Sequence, residues 1–195
     1  IWLRTILVVI ISAVVGYIAL ILVFLLPVDQ IRENVGDSLD VLEQEGITHN
    51  VIEEYDTTRL DNYTEGLTFN SAIFDSNDSV FEKAASIHQY RYQDAQMYYD
   101  ALFRYYSGDE SYYVDEYARD WHGYLVFVKP ALLLFNYSAI RMINLIIQLI
   151  LVVLICIFIY RDEKVRPYLV AFGVLLFFIT APMIFMSMEY SALFY

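Results

Sequence analysis

Residues 60–66, with the sequence Leu-Asp-Asn-Tyr-Thr-Glu-Gly, form the first group that could carry chemistry. Asp61 and Glu65 are four positions apart, so they share one face if this segment is helical. An aspartate near a membrane surface can serve as a general base. The alternative interpretation is structural, with Asp61 capping a helix and Glu65 completing a start of the capping-box type.

A second group is basic and aromatic, and it comprises Arg119, Trp121, His122, Lys129 and Arg141. It lies where the chain becomes strongly apolar again. Guanidinium and other cationic groups bind phosphate, so this basic edge is a candidate site for a phosphate-bearing membrane lipid. The alternative interpretation is an aromatic belt whose cations extend from the bilayer towards water.

Other catalytic signatures are missing from the sequence. It has no glycine-rich phosphate loop, no zinc-protease motif and no serine nucleophile elbow. The three histidines lack metal-ligand spacing, and the lone Cys156 lies in an apolar run. We therefore expect no metal site and no organic cofactor. The net charge of −12 argues against nucleic acid as a partner.

The composition indicates a membrane protein, because 58% of the residues are hydrophobic and the mean hydropathy is +0.46. Three runs, 5–26, 139–160 and 167–188, are each 22 residues long. As helices they would measure about 33 Å, enough to cross a hydrocarbon core of about 30 Å. A cleaved signal peptide is the alternative interpretation of the first run. The apolar run is longer than the apolar region of a typical signal peptide, so we favour a retained helix. Pro182 predicts a kink in the third run.

Basic residues predict the orientation of these spans. Arg4 precedes the first run, and residues 161–166 carry three basic side chains, so both are expected in the cytoplasm. Residues 27–138 are then extracytoplasmic. Residues 27–123 contain 21 acidic and six basic side chains. Such a surface suits neutral or cationic ligands, including divalent ions, although a long translocated loop that lacks lysine has the same composition.

Periodicity predicts a helical cap over residues 27–122. An apolar stripe from Val28 to Leu42 ends at Gly46, and a second stripe predicts one continuous helix over 81–106. Residues 46–79 are expected to form turns and short pieces. Residues 123–138 are interrupted by Pro130 and are expected to lie at the membrane interface or to re-enter. The overall expectation is an all-α polytopic membrane protein with three transmembrane helices.

Nine tyrosines lie between Tyr90 and Tyr117, with pairs that recur every seven residues. Tyrosine rings can stack on sugars and their hydroxyls can bond to sugar hydroxyls. Packing between a cap helix and the bilayer interface is the alternative that we favour.

The order of these parts resembles the start of the integral-membrane glycosyltransferases of the GT-C fold class. Residues 60–66 and 117–124 also resemble segments of bacterial membrane proteins with this layout. The resemblance implies a larger enzyme of the bacterial plasma membrane, which acts in cell-envelope glycan assembly with a polyprenyl-phosphate-linked sugar as donor. It also implies that an acid of the first outer loop is the base, either Asp61 or Asp29, which lies nearer the first span.

The competing expectation is non-enzymatic. In that case the chain is a membrane-anchored interaction or assembly subunit whose acidic cap binds a partner. The sequence does not distinguish oligomeric states.

Overall fold

The computed structural model describes residues 2–95, 97–116, 122–178 and 186–188. The chain divides into two compact units. Unit 1 comprises Ile1–Asp40 and Gly66–Tyr137, and unit 2 comprises Val41–Glu65 and Ser138–Tyr195.

The described residues are mostly helical. The helices are α1 (Trp2–Phe24), α2 (Val28–Gly36), α3 (Leu39–Glu45), α4 (Asn62–Ile73), α5 (Val80–Ala85), α6 (Tyr98–Tyr106), α7 (Leu125–Leu134), α8 (Tyr137–Arg161) and α9 (Leu169–Phe178). The strands are β1 (Thr48–Asn50), β2 (Arg59–Asp61), β3 (His88–Arg91) and β4 (Tyr113–Glu116). Short 3₁₀ turns occupy Asp56–Thr58 and Arg166–Tyr168.

The four strands correct the all-α expectation. They form two antiparallel pairs, with Thr48 opposite Asp61 in β1–β2 and His88 opposite Glu116 in β3–β4. Strands of three or four residues are too short to show an alternating pattern. Each strand pairs with a strand from another segment of the chain, so the spacing of residues within one segment does not predict the pairing.

Helices α1 and α8 agree with the first two apolar runs. Both are long and apolar enough to cross a membrane, by length and composition. Most of their large apolar side chains are exposed, which differs from the core helix of a soluble protein. The third run begins with a 3₁₀ turn and α9, and its later part, with Pro182, lies outside the described residues.

The continuous helix expected over residues 81–106 is wrong. The segment forms α5, then β3, then α6. Gln89 and Tyr90 are consecutive and both buried, as in a strand that is covered on both faces. Tyrosine favours strands, and pairing with β4 overrides the helical spacing. The predicted stop after α6 is confirmed at Gly108, whose φ is +81°.

Three further features differ from expectation in smaller ways. The apolar stripe after α1 forms two helices, α2 and α3, and Gly46 follows the second with a φ of +69°. Residues 46–79 are more regular than expected because they contain the 12-residue helix α4. Pro130 lies inside α7 without ending it, since the flanking Val128 and Leu132 are buried and hold the helix in place.

Helix α2 anchors unit 1. Ile31 and Val35 are completely buried. The Nδ2 of Asn34 donates to the carbonyls of Leu132 at 2.8 Å and Leu133 at 3.2 Å. These carbonyls end α7 and have no donor within their own helix, so the Asn34 amide satisfies them. Helix α2 is therefore fixed both by apolar burial and by a side-chain cap on its neighbour.

Candidate functional site

Asp29 lies in the first turn of α2, two residues after Pro27. Its side chain is 94% exposed, and its Oδ1 lies 3.3 Å from Nη1 of Arg32, one turn further along the helix. Because the opposite face of α2 is anchored, the carboxylate is held on a rigid element close to the end of α1 in the chain. An exposed carboxylate in a fixed position can accept a proton from a bound hydroxyl.

Arg32 links α2 to two other elements of unit 1. Its Nε donates to the carbonyl of Ile73 at 3.1 Å, and its Nη2 donates to the hydroxyl of Tyr90 at 3.2 Å. Burial raises the pKa of Tyr90, and the neighbouring Tyr105 raises it further. The Tyr90 hydroxyl therefore stays protonated in neutral water. These bonds fix the guanidinium that contacts Asp29.

Lys129 is 2% exposed. Its Nζ donates to the carbonyl of Ala72 at 2.8 Å and lies 4.7 Å from the centre of the Phe24 ring. Burial lowers the pKa of Lys129 to about 8, an effect that the nearby Asp75 carboxylate opposes. The amine, expected from the sequence to hold a lipid phosphate, is instead bonded to the backbone at the end of α4.

The C-terminus of α4 thus brings two of the predicted site residues into one constellation. Lys129 and Arg32 donate to the consecutive carbonyls of Ala72 and Ile73, and Arg32 also contacts Asp29. Cations at this end of a helix are favoured by its dipole. We call this group the α2–α4 site, and its members are Asp29, Arg32, Tyr90, Lys129 and the two carbonyls.

Asp61, the other candidate base, lies immediately before α4. Its Oδ1 accepts a hydrogen bond from the backbone N–H of Tyr63 at 3.1 Å. Its Oδ2 accepts from the hydroxyl of Thr64 at 3.2 Å. Both contacts are those of a helix N-cap, as the structural interpretation of this segment predicts.

Arg141 lies in unit 2 near the start of α8. Its Nη1 and Nη2 contact Oε1 and Oε2 of Glu45 at 2.5 and 2.9 Å, in a two-point ion pair. The same carboxylate accepts a hydrogen bond from Nδ2 of Asn62 at 3.1 Å. Asn62 also donates to the carbonyl of Gly46 at 2.7 Å. The guanidinium predicted to bind phosphate is therefore engaged by a carboxylate of its own unit.

Glu65 is also buried in unit 2. Its Oε1 accepts from the hydroxyl of Ser187 and from the backbone N–H of Met188, both at 2.7 Å. Glu65 does not form the predicted capping box. That motif places the glutamate at the third residue of the helix, and Glu65 is the fourth residue of α4.

The remaining residues of the predicted basic edge are described only in part. His122 is buried in unit 1, and its Nδ1 lies 3.0 Å from the hydroxyl of Tyr124. Arg119 and Trp121 lie outside the described residues.

A polar recess of about 460 Å³ lies in unit 2 beside the β1–β2 pair. The amide of Asn50 donates across it to Oδ1 of Asp56 at 3.2 Å. Its lining side chains are Thr48, His49, Asn50, Glu53, Asp56 and Arg59. The recess is open and carries both acidic and basic groups.

The described tyrosines pack against one another in unit 1. Tyr90 stacks on Tyr105 with ring centres 4.4 Å apart, and Tyr112 meets Tyr90 edge to face at 4.8 Å. Tyr106 buries its ring nearby and donates from its hydroxyl to the carbonyl of Arg32 at 2.7 Å. These tyrosines therefore pack within unit 1 itself, and packing of the tyrosine pattern against a bilayer interface stays a prediction.

Sequence reasoning missed Arg32 and Glu45, and it considered Tyr90 only as part of the tyrosine pattern. The spacing could have indicated Arg32, because it follows Asp29 by three residues and the two side chains therefore lie on the same helix face. Glu45 pairs with Arg141, which lies 96 positions later in the chain, and the spacing of residues within one segment cannot predict such a contact.

Comparisons of the chain with protein-family models, with curated proteins and with solved structures find no match.

Proposed function

We propose that this chain is part of a membrane glycosyltransferase-like protein of cell-envelope glycan assembly, with Asp29 as its general base. The donor would be a sugar linked to a polyprenyl phosphate. The proposal rests on the layout of two long apolar helices around a polar helical segment, and on the geometry of Asp29.

The position of Asp29 is the observation that supports this function most directly. A donor tethered to the membrane by its lipid presents its reacting carbon close to the lipid headgroups. The acceptor hydroxyl attacks that carbon, the bond from carbon to phosphate oxygen breaks, and the hydroxyl proton passes to the base. An exposed carboxylate only five residues beyond Phe24, on an anchored helix, meets this requirement.

Asp29 suits this role better than Asp61. Both carboxylate oxygens of Asp61 already accept hydrogen bonds at the start of α4. Asp29 has one long contact with Arg32, which holds the carboxylate in place and leaves most of it open to solvent. In this proposal Arg32 positions the base through its contact with Asp29. The C-terminal end of α4 positions Arg32, and Lys129 binds that same end through the Ala72 carbonyl.

The test compares lipid-linked sugars in cells that lack the gene and carry it back as wild type, Asp29→Asn or Asp40→Asn. Asp40 is a matched control, because it is also an exposed acid in the first turn of a cap helix. Extracted polyprenyl lipids are quantified by mass spectrometry. We expect donor lipid to accumulate with Asp29→Asn as it does in the deletion strain, and to stay at the wild-type level with Asp40→Asn.

Equal lipid levels in the Asp29→Asn and wild-type strains would contradict the assignment of the base. The absence of any accumulated lipid in the deletion strain would favour the second candidate, a non-enzymatic interaction subunit. The exposed acids Glu53, Glu54 and Asp56 beside the unit 2 recess support that candidate, because they offer a surface for a cationic partner.

A further inference from the structure

We propose that α5 lies in the bilayer interface beside α1, with the Phe81 ring inserted among the lipid chains. The sequence analysis assigns the residues of α5 to the extracytoplasmic cap, so this contact would add a further membrane-bound element to unit 1. The partner is a lipid surface, and the proposal does not depend on the enzymatic function.

The depth of α5 follows from one hydrogen bond. The hydroxyl of Tyr17 on α1 donates to the carbonyl of Phe81 at 2.9 Å. Tyr17 is seven residues before Phe24, the last residue of α1, which corresponds to about 10 Å along the helix axis. Phe81 is therefore level with the apolar body of α1 and not with its end.

The surface of α1 at this level is suited to lipid. Val14, Ile18 and Leu22 are at least half exposed and surround Tyr17 along the helix. Phe81 is 63% exposed and continues this apolar surface onto α5. A phenylalanine exposed to this extent beside a candidate membrane helix is more stable in hydrocarbon than in water, because hydrocarbon removes its apolar surface from water.

Helix α7 supplies a second aromatic side chain at the same level of α1. An apolar groove of about 580 Å³ lies between the two helices, with Val15 and Gly16 on one side and Phe127 on the other. Phe127 is 77% exposed. Two exposed phenylalanines, on separate segments of unit 1, therefore share one depth along α1. This is the pattern of side chains that anchor a protein in a membrane interface.

Several polar groups of α5 already have partners within the protein, which lowers the cost of bringing the helix to the membrane. Ser79 and Glu82 form a capping box, with bonds of 2.9 Å from the Ser79 N–H and 3.3 Å from the Glu82 N–H. The ammonium of Lys83 pairs with Asp75 at 2.5 Å. The charge of Lys83 is thus neutralised before any contact with lipid.

The test measures the accessibility of nitroxide labels in the whole protein, with Cys156 replaced by Ser, in vesicles of phosphatidylcholine and phosphatidylglycerol. Labels are placed by Phe81→Cys, Phe127→Cys and Tyr113→Cys. Tyr113 is the matched control, an exposed aromatic residue on β4. We expect oxygen, which concentrates in lipid, to relax the labels at 81 and 127 more strongly than a water-soluble nickel chelate. At 113 we expect the nickel chelate to relax the label more strongly than oxygen does.

Two results would overturn the proposal. Stronger relaxation by nickel at 81, as at 113, would place α5 in water. Exclusion of both reagents from 81 would mean that another protein surface covers it. As a further check, Tyr17→Phe removes the bond that sets the depth of α5, and it should lower the ratio of oxygen to nickel relaxation at 81 but not at 127.

Discussion

At the scale of single residues, Lys129 is a buried cation whose hydrogen-bond partner is a backbone carbonyl. Its ammonium binds the Ala72 carbonyl and faces the Phe24 ring, and no carboxylate among the described residues forms an ion pair with it. The charged form loses its hydration through burial, and this loss lowers the pKa to about 8.

This pKa predicts a pH dependence of stability. Between about pH 8 and 10.5, unfolded Lys129 binds a proton that the folded protein has lost, so the free energy of unfolding rises with pH. We expect the Tm in detergent micelles to increase between about pH 7.5 and 9.5. Above this window the raised pKa values of Tyr90 and Tyr106 act in the opposite direction.

Lys129→Met is the control for that measurement, because it keeps a long apolar stem and removes the titrating amine. The variant should lose most of the increase in Tm with pH, whatever its absolute stability. An unchanged slope in Lys129→Met would mean that another group causes it.

Asp61 gives a second prediction at this scale. Asp61→Ala removes the acceptor for the Tyr63 N–H and should lower the free energy of unfolding by about 1 kcal/mol. Asp61→Asn keeps a good capping side chain and should stay close to wild type in thermal unfolding. If Asp61→Asn abolished activity while the protein remained folded, Asp61 rather than Asp29 would be the base.

At the scale of elements, α4 has side chains bound at both of its ends. Asp61 caps its first turn, and Lys129 and Arg32 bind its final carbonyls. Within unit 1, its Gly66 faces the backbone of α6. A Cβ added there would lie 2.8 Å from the Cα of Tyr99, which is closer than side-chain carbons approach.

Gly66→Ala should therefore destabilise the protein by about 1 to 3 kcal/mol, because the backbone of α6 must move to admit the methyl group. Gly173→Ala is the matched control, since nothing lies within 4 Å of the added carbon and alanine is the better helix former. Thermal unfolding of both variants in micelles measures the difference. Equal stability of the two would contradict the close packing of α4 against α6.

The elements also show what the sequence can predict. Helices α1 and α8 follow from apolar length, and the positive φ of Gly46 and Gly108 follows from glycine at helix ends. Strand β3 could not be predicted, because its stability comes from β4, and the two are separated by a complete helix. In the candidate site, the resemblance named Asp29 only as one of two possible bases, and its catalytic role stays a prediction. The contacts that fix Arg32 come from Ile73 and Tyr90, which local patterns do not connect to α2.

At the scale of the whole molecule, charge and hydropathy predict one orientation in the membrane. The basic turn 161–166 would lie in the cytoplasm and the acidic segment outside. With Cys156 replaced by Ser, a cysteine at Ser107 should react with an impermeant maleimide in intact cells, and one at Asp162 should react only after lysis. Ser107 is exposed in the turn after α6, so its labelling is not limited by burial. The reverse pattern would show that the charge bias does not set the orientation.

The contacts of α2 also determine when unit 1 can fold during synthesis. Asn34 binds the carbonyl of Leu133, 99 residues later in the chain, and Ser38 accepts from the N–H of Tyr137, also 99 residues later. At 5 to 20 residues per second, translation of that interval takes roughly 5 to 20 s. Until α7 emerges, Ile31 and Val35 lack the helix that covers them. A nascent chain arrested before α7 should therefore expose α2 to protease, and release of the arrest should restore its protection.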